Sequence, residues 1–142
     1  MTSRHDILIS ARDARALGLM LGDWPRRHHL EQETAEELAT TIGGARIVAA
    51  DEVPDDVVAM HSTVSYVGIP DGVAETVTIV YPAQADARAG RVSVLSPIGR
   101  ALLGRLVGSV VDVLLPTGRH FAVRIVEVSR RSVKDEEALA LA

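Results

Sequence analysis

A single change of hydrophobic period near residue 57 constrains this chain more than any other feature. Before it, apolar residues recur every three to four positions; after it, every second position. A chain that switches in this way holds a helical segment followed by a sheet, an α+β arrangement. Its 142 residues leave room for one sheet domain and a small helical appendage. The segment Ala49-Ala50-Asp51-Glu52-Val53-Pro54-Asp55-Asp56 sits at the switch, where four acids and a proline replace the helical pattern. The expected organisation is a short helical hairpin over 1–50, an acidic linker over 51–56, a sheet domain over 57–129 and a charged tail over 130–142. Reading the acidic run as a metal site instead would require a ladder of further ligands, and none follows it.

In the first part, Ser10-Ala11-Arg12-Asp13 reads as a capping box. The Ser10 hydroxyl accepts from the Asp13 amide, and the Asp13 carboxylate returns to the Ser10 amide. Ala14, Leu17 and Leu21 follow at helical spacing, and Gly22-Asp23-Trp24-Pro25 is expected to stop the helix. A second helix is expected over about 30 to 42. It has Ala35, Leu38, Ala39 and Ile42 on one face, Glu31, Glu33, Glu36 and Glu37 on the other, and Gly43-Gly44 at its end. Two such helices of about 12 residues pair antiparallel and reach only ~18 Å.

In the second part, Val64 and Tyr66 alternate with Thr63 and Ser65, and Val77, Ile79 and Tyr81 with Thr76 and Thr78. Both stretches read as half-buried strands, with Pro70-Asp71-Gly72 as the turn between them. Arg91 to Leu95 is a further short strand. Ser96 is placed to cap a helix and Pro97 to occupy its first position, with Ile98, Ala101 and Leu102 as its apolar stripe. Val110–Leu115 and Arg119–Val128, joined by Pro116-Thr117-Gly118, read as a hairpin. The sheet is expected to be mostly antiparallel, with one helix on a face.

Composition removes several functions. The net charge of −4 supplies no positive field for nucleic acid, so strong direct nucleic-acid binding is not expected. Aromatic residues are 3% of the chain, too few for a base-stacking platform. There is no cysteine, which excludes disulfides, thiol nucleophiles and Cys-based zinc sites. Arg4, His5 and Asp6 interrupt the first residues, and no apolar run approaches the ~18 residues of a membrane span. A soluble, cytoplasmic protein is expected.

The stretch Val92-Ser93-Val94-Leu95-Ser96-Pro97-Ile98-Gly99-Arg100-Ala101-Leu102-Leu103-Gly104, then Val107-Gly108 and Pro116-Thr117-Gly118, resembles the C-terminal domain of the GreA/GreB transcript-cleavage factors. The family pattern runs ISVxSPxxRALLGxxVGD…PxG, and its SPxxRALLG core is intact here. Ser109 departs from it, standing where Asp is usual. Asp51 to Met60 and Val80-Tyr81-Pro82-Ala83 resemble the Rnk type within that family, the regulators of nucleoside diphosphate kinase. The resemblance implies an FKBP-like sheet domain and bacterial RNA polymerase as partner, bound near its secondary channel. In Gre factors a long coiled coil brings two acidic residues at its tip to the polymerase active site, where they help hold a metal ion. The hairpin expected here is too short for that. Its tip offers Asp23, Trp24, Arg26 and Arg27, one carboxylate beside two guanidiniums, and an arginine repels a magnesium ion. Docking without cleavage is therefore expected, with no catalytic residue, no cofactor and no metal. The name of the Rnk type then describes an effect on expression, since no Gly-rich phosphate loop supports kinase chemistry.

Partner contact is assigned to Ser96, Pro97, Ile98 and Arg100, the residues that by resemblance face the polymerase rim. Each also has a plain structural reading: a helix start for Ser96 and Pro97, core or ordinary surface for Ile98 and Arg100. His28-His29 is more simply a solvated loop than a zinc site, because adjacent residues do not share a helical face. Trp24 is expected to cover the apolar seam of the hairpin. Three rival readings stand beside the first. A prolyl isomerase would need an aromatic pocket, yet Tyr66, Tyr81 and Phe121 lie on separate strands. The others are a true cleavage factor and an oligomeric interaction module.

Overall fold

A computed structural model describes residues 7–27, 32–70 and 72–130, without the side chains of residues 24–27. The first described element is a short strand, β1 (Leu8–Ser10), which enters α1 (Ala11–Arg27) directly. Ser10 caps this helix, its hydroxyl accepting from the Asp13 amide at 2.9 Å. The other half of the expected capping box does not form. The Asp13 carboxylate instead accepts from the Met60 amide at 3.1 Å, 47 residues away.

Helix α1 does not stop at Gly22 but continues through Pro25 to Arg27. Proline removes one helical hydrogen bond and crowds the carbonyl four residues back, a cost of ~3 kcal/mol in a helix interior. Pro25 lies in the last turn, where little helix remains to be disturbed. The 17 residues of α1 reach ~25 Å, further than expected. Helix α2 (Gln32–Gly43) is 12 residues long and ends at the expected glycines. Ala35 and Leu38 are buried on it, whereas Ala39 is exposed. Glu31 falls outside the described residues.

After α2, a strand with no sequence signal, β2 (Arg46–Val48), pairs in parallel with β1, Ile9 opposite Ile47. The two strands close the base of the hairpin. The acidic linker forms a 3₁₀ turn at Ala50–Glu52. Arg130 clasps it from the far end of the fold, its guanidinium donating to the carbonyls of Val53 at 2.9 Å and Pro54 at 3.3 Å.

The main sheet contains β3 (Thr63–Ile69), β4 (Ala74–Val80), β5 (Arg91–Ser93), β6 (Val110–Leu114) and β7 (His120–Ser129), in the spatial order β5-β4-β3-β7-β6. It is mixed: β5 runs parallel to β4, and the remaining pairs are antiparallel. The expected alternation holds on β3 and β4. Val64, Tyr66, Val77 and Ile79 point inward, while Thr63–Thr78 and Ser65–Thr76 join their hydroxyls across the outer face at 2.9 Å each. Of the Pro70-Asp71-Gly72 turn, Asp71 lies outside the described residues. The tail beyond Arg130 does too.

Helix α3 (Pro97–Leu102) crosses the inner face against β5 and β6. One continuous core results. It joins Leu102 and Leu103 near α3 to Val111, Val113, Val123 and Ile125 of the sheet and to Leu17 and Leu38 of the hairpin. Leu17 and Leu38 are both fully buried, so the hairpin shares the core of the sheet domain. Leu38→Ala is expected to cost about 2–5 kcal/mol. Urea unfolding followed by circular dichroism is expected to show one shifted transition and not an independent melting of the helices.

Candidate protein-docking site

The SPxxRALLG segment builds a corner out of three small residues. Ser96 stands at the helix N-cap, its hydroxyl accepting from the Gly99 amide at 3.1 Å and donating to the Ser93 carbonyl at 2.6 Å. The Ser93 hydroxyl accepts from the Leu95 amide at 3.0 Å, so the turn into the helix is bonded on both sides. Pro97 follows at the first helical position, where its missing N–H costs nothing. Gly99 lets this turn of helix lie directly on β5. A β-carbon there would meet the Ser93 carbonyl oxygen at 2.2 Å and Val94 Cα at 3.0 Å.

The four sequence-assigned contact residues therefore lie together, and all are half-buried. Ser96 and Pro97 form the outward corner. Ile98 packs partly into the core. Arg100 turns to the hairpin, its Nη1 donating to the Glu37 carboxylate of α2. Its side chain retains only 15% exposure against 50% for Glu37. That ion pair has no local sequence signal, because its partners are 63 residues apart.

The tip residues Asp23, Trp24, Arg26 and Arg27 all lie on α1 rather than in a loop. The side chains of Trp24, Arg26 and Arg27 are outside the described set, as are His28 and His29. Asp23 is engaged in an interaction. Among the described residues no group of three or more His, Asp or Glu is placed to hold a metal ion, and no helix is long and apolar enough to cross a membrane.

Sequence reasoning also missed exposed apolar residues on the outer sheet face. Val110 and Leu114 of the edge strand are exposed on either side of Asp112, which faces Ala122 and bonds His120. The alternation in Val110-Val111-Asp112-Val113-Leu114 carries the signal, since one face of that strand is apolar at its ends and the other throughout.

Titratable groups cluster where the hairpin meets the sheet domain. Burial raises the Asp13 carboxyl above its ordinary 3.8, opposed by the Met60 amide and by the charges of His61, Arg12 and Arg130. Burial also pushes the Tyr81 hydroxyl up to about 12, helped by the Asp13 charge. The Tyr66 hydroxyl is raised as well, by burial first and then by donating to Glu75 at 2.8 Å. His61 sits at φ +70°, a left-handed conformation unusual for a residue with a β-carbon. Its ring meets Tyr81 edge-on with centroids 5.6 Å apart and bonds Gln84 at 3.0 Å. Tyr66, Tyr81 and Phe121 thus have separate surroundings: a carboxylate, an imidazole and an exposed strand end.

Residues 53–130 match the family model described as transcription elongation factor, GreA/GreB, C-term. The chain belongs to that family. The GreA factor of Bacillus licheniformis is 40% identical over 103 residues, covering 70% of this chain and 65% of that protein. A regulator of nucleoside diphosphate kinase from Escherichia coli is 32% identical over 126 residues, covering 89% of this chain and 90% of that protein. Among solved structures, a GreA/GreB factor from Nitrosomonas europaea superposes with a TM-score of 0.67 at 32% identity, covering 87% of this chain and 98% of that one. This chain spans only about two-thirds of the length of the GreA factor from Bacillus licheniformis.

The raised Asp13 carboxyl has a consequence for stability. The folded state holds that proton more tightly than the unfolded state does. Its contribution is therefore fullest below 3.8, declines as pH rises to the raised folded value, and is flat above it. Asp13→Asn keeps an oxygen for the Met60 amide and is expected to remove this slope without loss of stability at neutral pH. Asp13→Ala leaves that amide unmet and is expected to cost about 1–3 kcal/mol. Urea unfolding of the three proteins across a pH series measures both effects.

Proposed function

We propose that this chain is a transcription regulator that docks on bacterial RNA polymerase near the secondary channel, through the Ser96–Pro97 corner with Ile98 and Arg100 beside it, and does not itself promote transcript cleavage. The observation that carries the reading is the intact SPxxRALLG segment, held as a bonded corner on a helix whose far side is core. A rigid, half-exposed corner loses little conformational entropy on binding.

Absence of cleavage is argued from the hairpin. Helices of ~25 and ~18 Å, with Arg26 and Arg27 close to Asp23 in sequence, make a poor carrier for a magnesium ion, which needs oxygen ligands and few neighbouring cations. Such a protein would act by occupying the polymerase surface that other channel factors need. The near full-length match to the Escherichia coli protein supports an assignment to the Rnk type. An FKBP-like sheet domain and a cytoplasmic location belong to the same reading, as does a role without enzymatic activity of its own.

A second reading has its own support. The relatives in Bacillus and the solved Nitrosomonas structure are named as transcription elongation factors, which favours a factor that stimulates hydrolysis by polymerase. Both readings share the docking step and differ in what the hairpin delivers.

Purified polymerase is expected to be captured by the wild-type chain and about tenfold or more weakly by Pro97→Arg, the scale of losing an interface anchor. Circular dichroism shows whether that variant remains folded. Stalled elongation complexes incubated with the wild-type protein are expected to keep transcripts of full length; shortened transcripts would move the assignment to the second reading.

A further inference from the structure

Among the described residues, hydrogen bonds join the hairpin to the sheet domain at its base, in the first turn of α1 and along α2. At the base, the Leu8 amide of β1 donates to the Gly104 carbonyl at 2.9 Å. In the first turn of α1, Asp13 accepts from the Met60 amide. These two lie within five residues of one another along the chain, so by themselves they hold the hairpin near a single place and leave its tilt open. The third point is different. Glu37 lies six residues before the end of α2, ~9 Å up the hairpin from its base, and receives the Arg100 guanidinium. Three points that do not share a line fix an orientation, whereas two do not. Leu17 and Leu38 add burial, but apolar burial is non-directional and tolerates a range of angles.

We infer that Arg100 is a positioning residue: its ion pair with Glu37 sets the direction in which the hairpin projects from the docking surface. This rests on the docking reading above and adds what that reading lacks, a reason for the hairpin to point one way once the α3 corner is seated. The arrangement is economical in sequence. Arg100 follows Ser96 by four residues, one helical turn, so the residue that aims the hairpin stands on the same short helix as the corner that binds. Arg100 is also well suited to the task, because its mostly covered guanidinium is held in place along its length while Glu37 remains half-exposed.

The test needs no partner. The chain has no cysteine, so Leu19→Cys on α1 and Leu114→Cys on β6, at residues 73% and 54% exposed, give a clean pair of spin-label sites. In the otherwise wild-type protein the inter-label distance distribution is expected to be narrow. Glu37→Arg places two guanidiniums face to face and is expected to broaden or shift it. Adding Arg100→Glu restores an opposite-charge pair in the reversed sense and is expected to restore the narrow distribution. A merely structural loss would not be rescued by exchanging the charges. An unchanged distribution in folded Glu37→Arg, or no recovery in the folded double variant, would overturn the inference. A separate arm measures displacement of a second channel factor from polymerase. At concentrations that give equal capture, Glu37→Arg is expected to compete less well than wild type; equal competition would also count against Arg100 as the aiming residue. Polymerase that fails to capture even the wild type would remove the docking reading and leave the distance measurement to decide the orientation.

Discussion

How closely one short segment, Gly99 to Gly104, lies against two strands governs the rest of this structure. At Gly99 the space for a β-carbon is already filled by the Ser93 carbonyl, so α3 rests on β5 backbone to backbone. At Gly104 the chain turns with φ +79°, and a β-carbon there would strike Ile7 at 2.6 Å and Leu8 at 3.1 Å. Both contacts need glycine for a reason of space, and the second needs it for conformation too. The first fixes the Ser96–Pro97 corner on the sheet. The second admits β1 and, with it, the whole helical hairpin.

From that segment the two parts of the protein become one body. The Gly104 amide donates to Val58 and its carbonyl accepts from Leu8, so a single glycine joins the linker side and the hairpin side. Arg130 ties the end of β7 to the acidic linker through carbonyls rather than through charge alone. The Arg130–Asp55 contact at 3.5 Å involves a fully exposed carboxylate and contributes little. The better-covered polar contacts at this junction are the Asp13 carboxylate on a backbone amide and the Arg100 guanidinium, whose partner Glu37 stays half-exposed.

The same economy shapes the functional reading. A helix of six residues offers few side chains. Here one end presents Ser96 and Pro97, the middle is given up to core and close approach, and the remaining polar residue reaches the hairpin. The family match covers the sheet domain that holds this helix, whereas the hairpin lies before it. The corner is bonded on both sides by Ser93 and Ser96, so under the proposed docking its shape exists before a partner arrives.

Local chemistry made much of this legible. The period change at residue 57 marked the transition from helices to sheet, the alternation along Thr63–Tyr66 and Thr76–Ile79 marked its strands, and Ser96-Pro97 marked the start of α3. Each is decided by residues within a turn or a strand of one another, where propensity and side-chain spacing act directly. Tertiary structure alone decided the rest. Strands β1 and β2 are three residues each and exist because they pair with each other across the hairpin base, β1 bonding to Gly104 as well. Asp13 left its capping box for Met60 because a distant amide needed an acceptor. Helix α1 ran on through Pro25, and Arg100 turned to Glu37. The strand pairing, the Asp13–Met60 bond and the Arg100–Glu37 pair could not be read from neighbours in sequence, because in each the governing interaction lies outside the local window and only the folded chain brings its partner within reach.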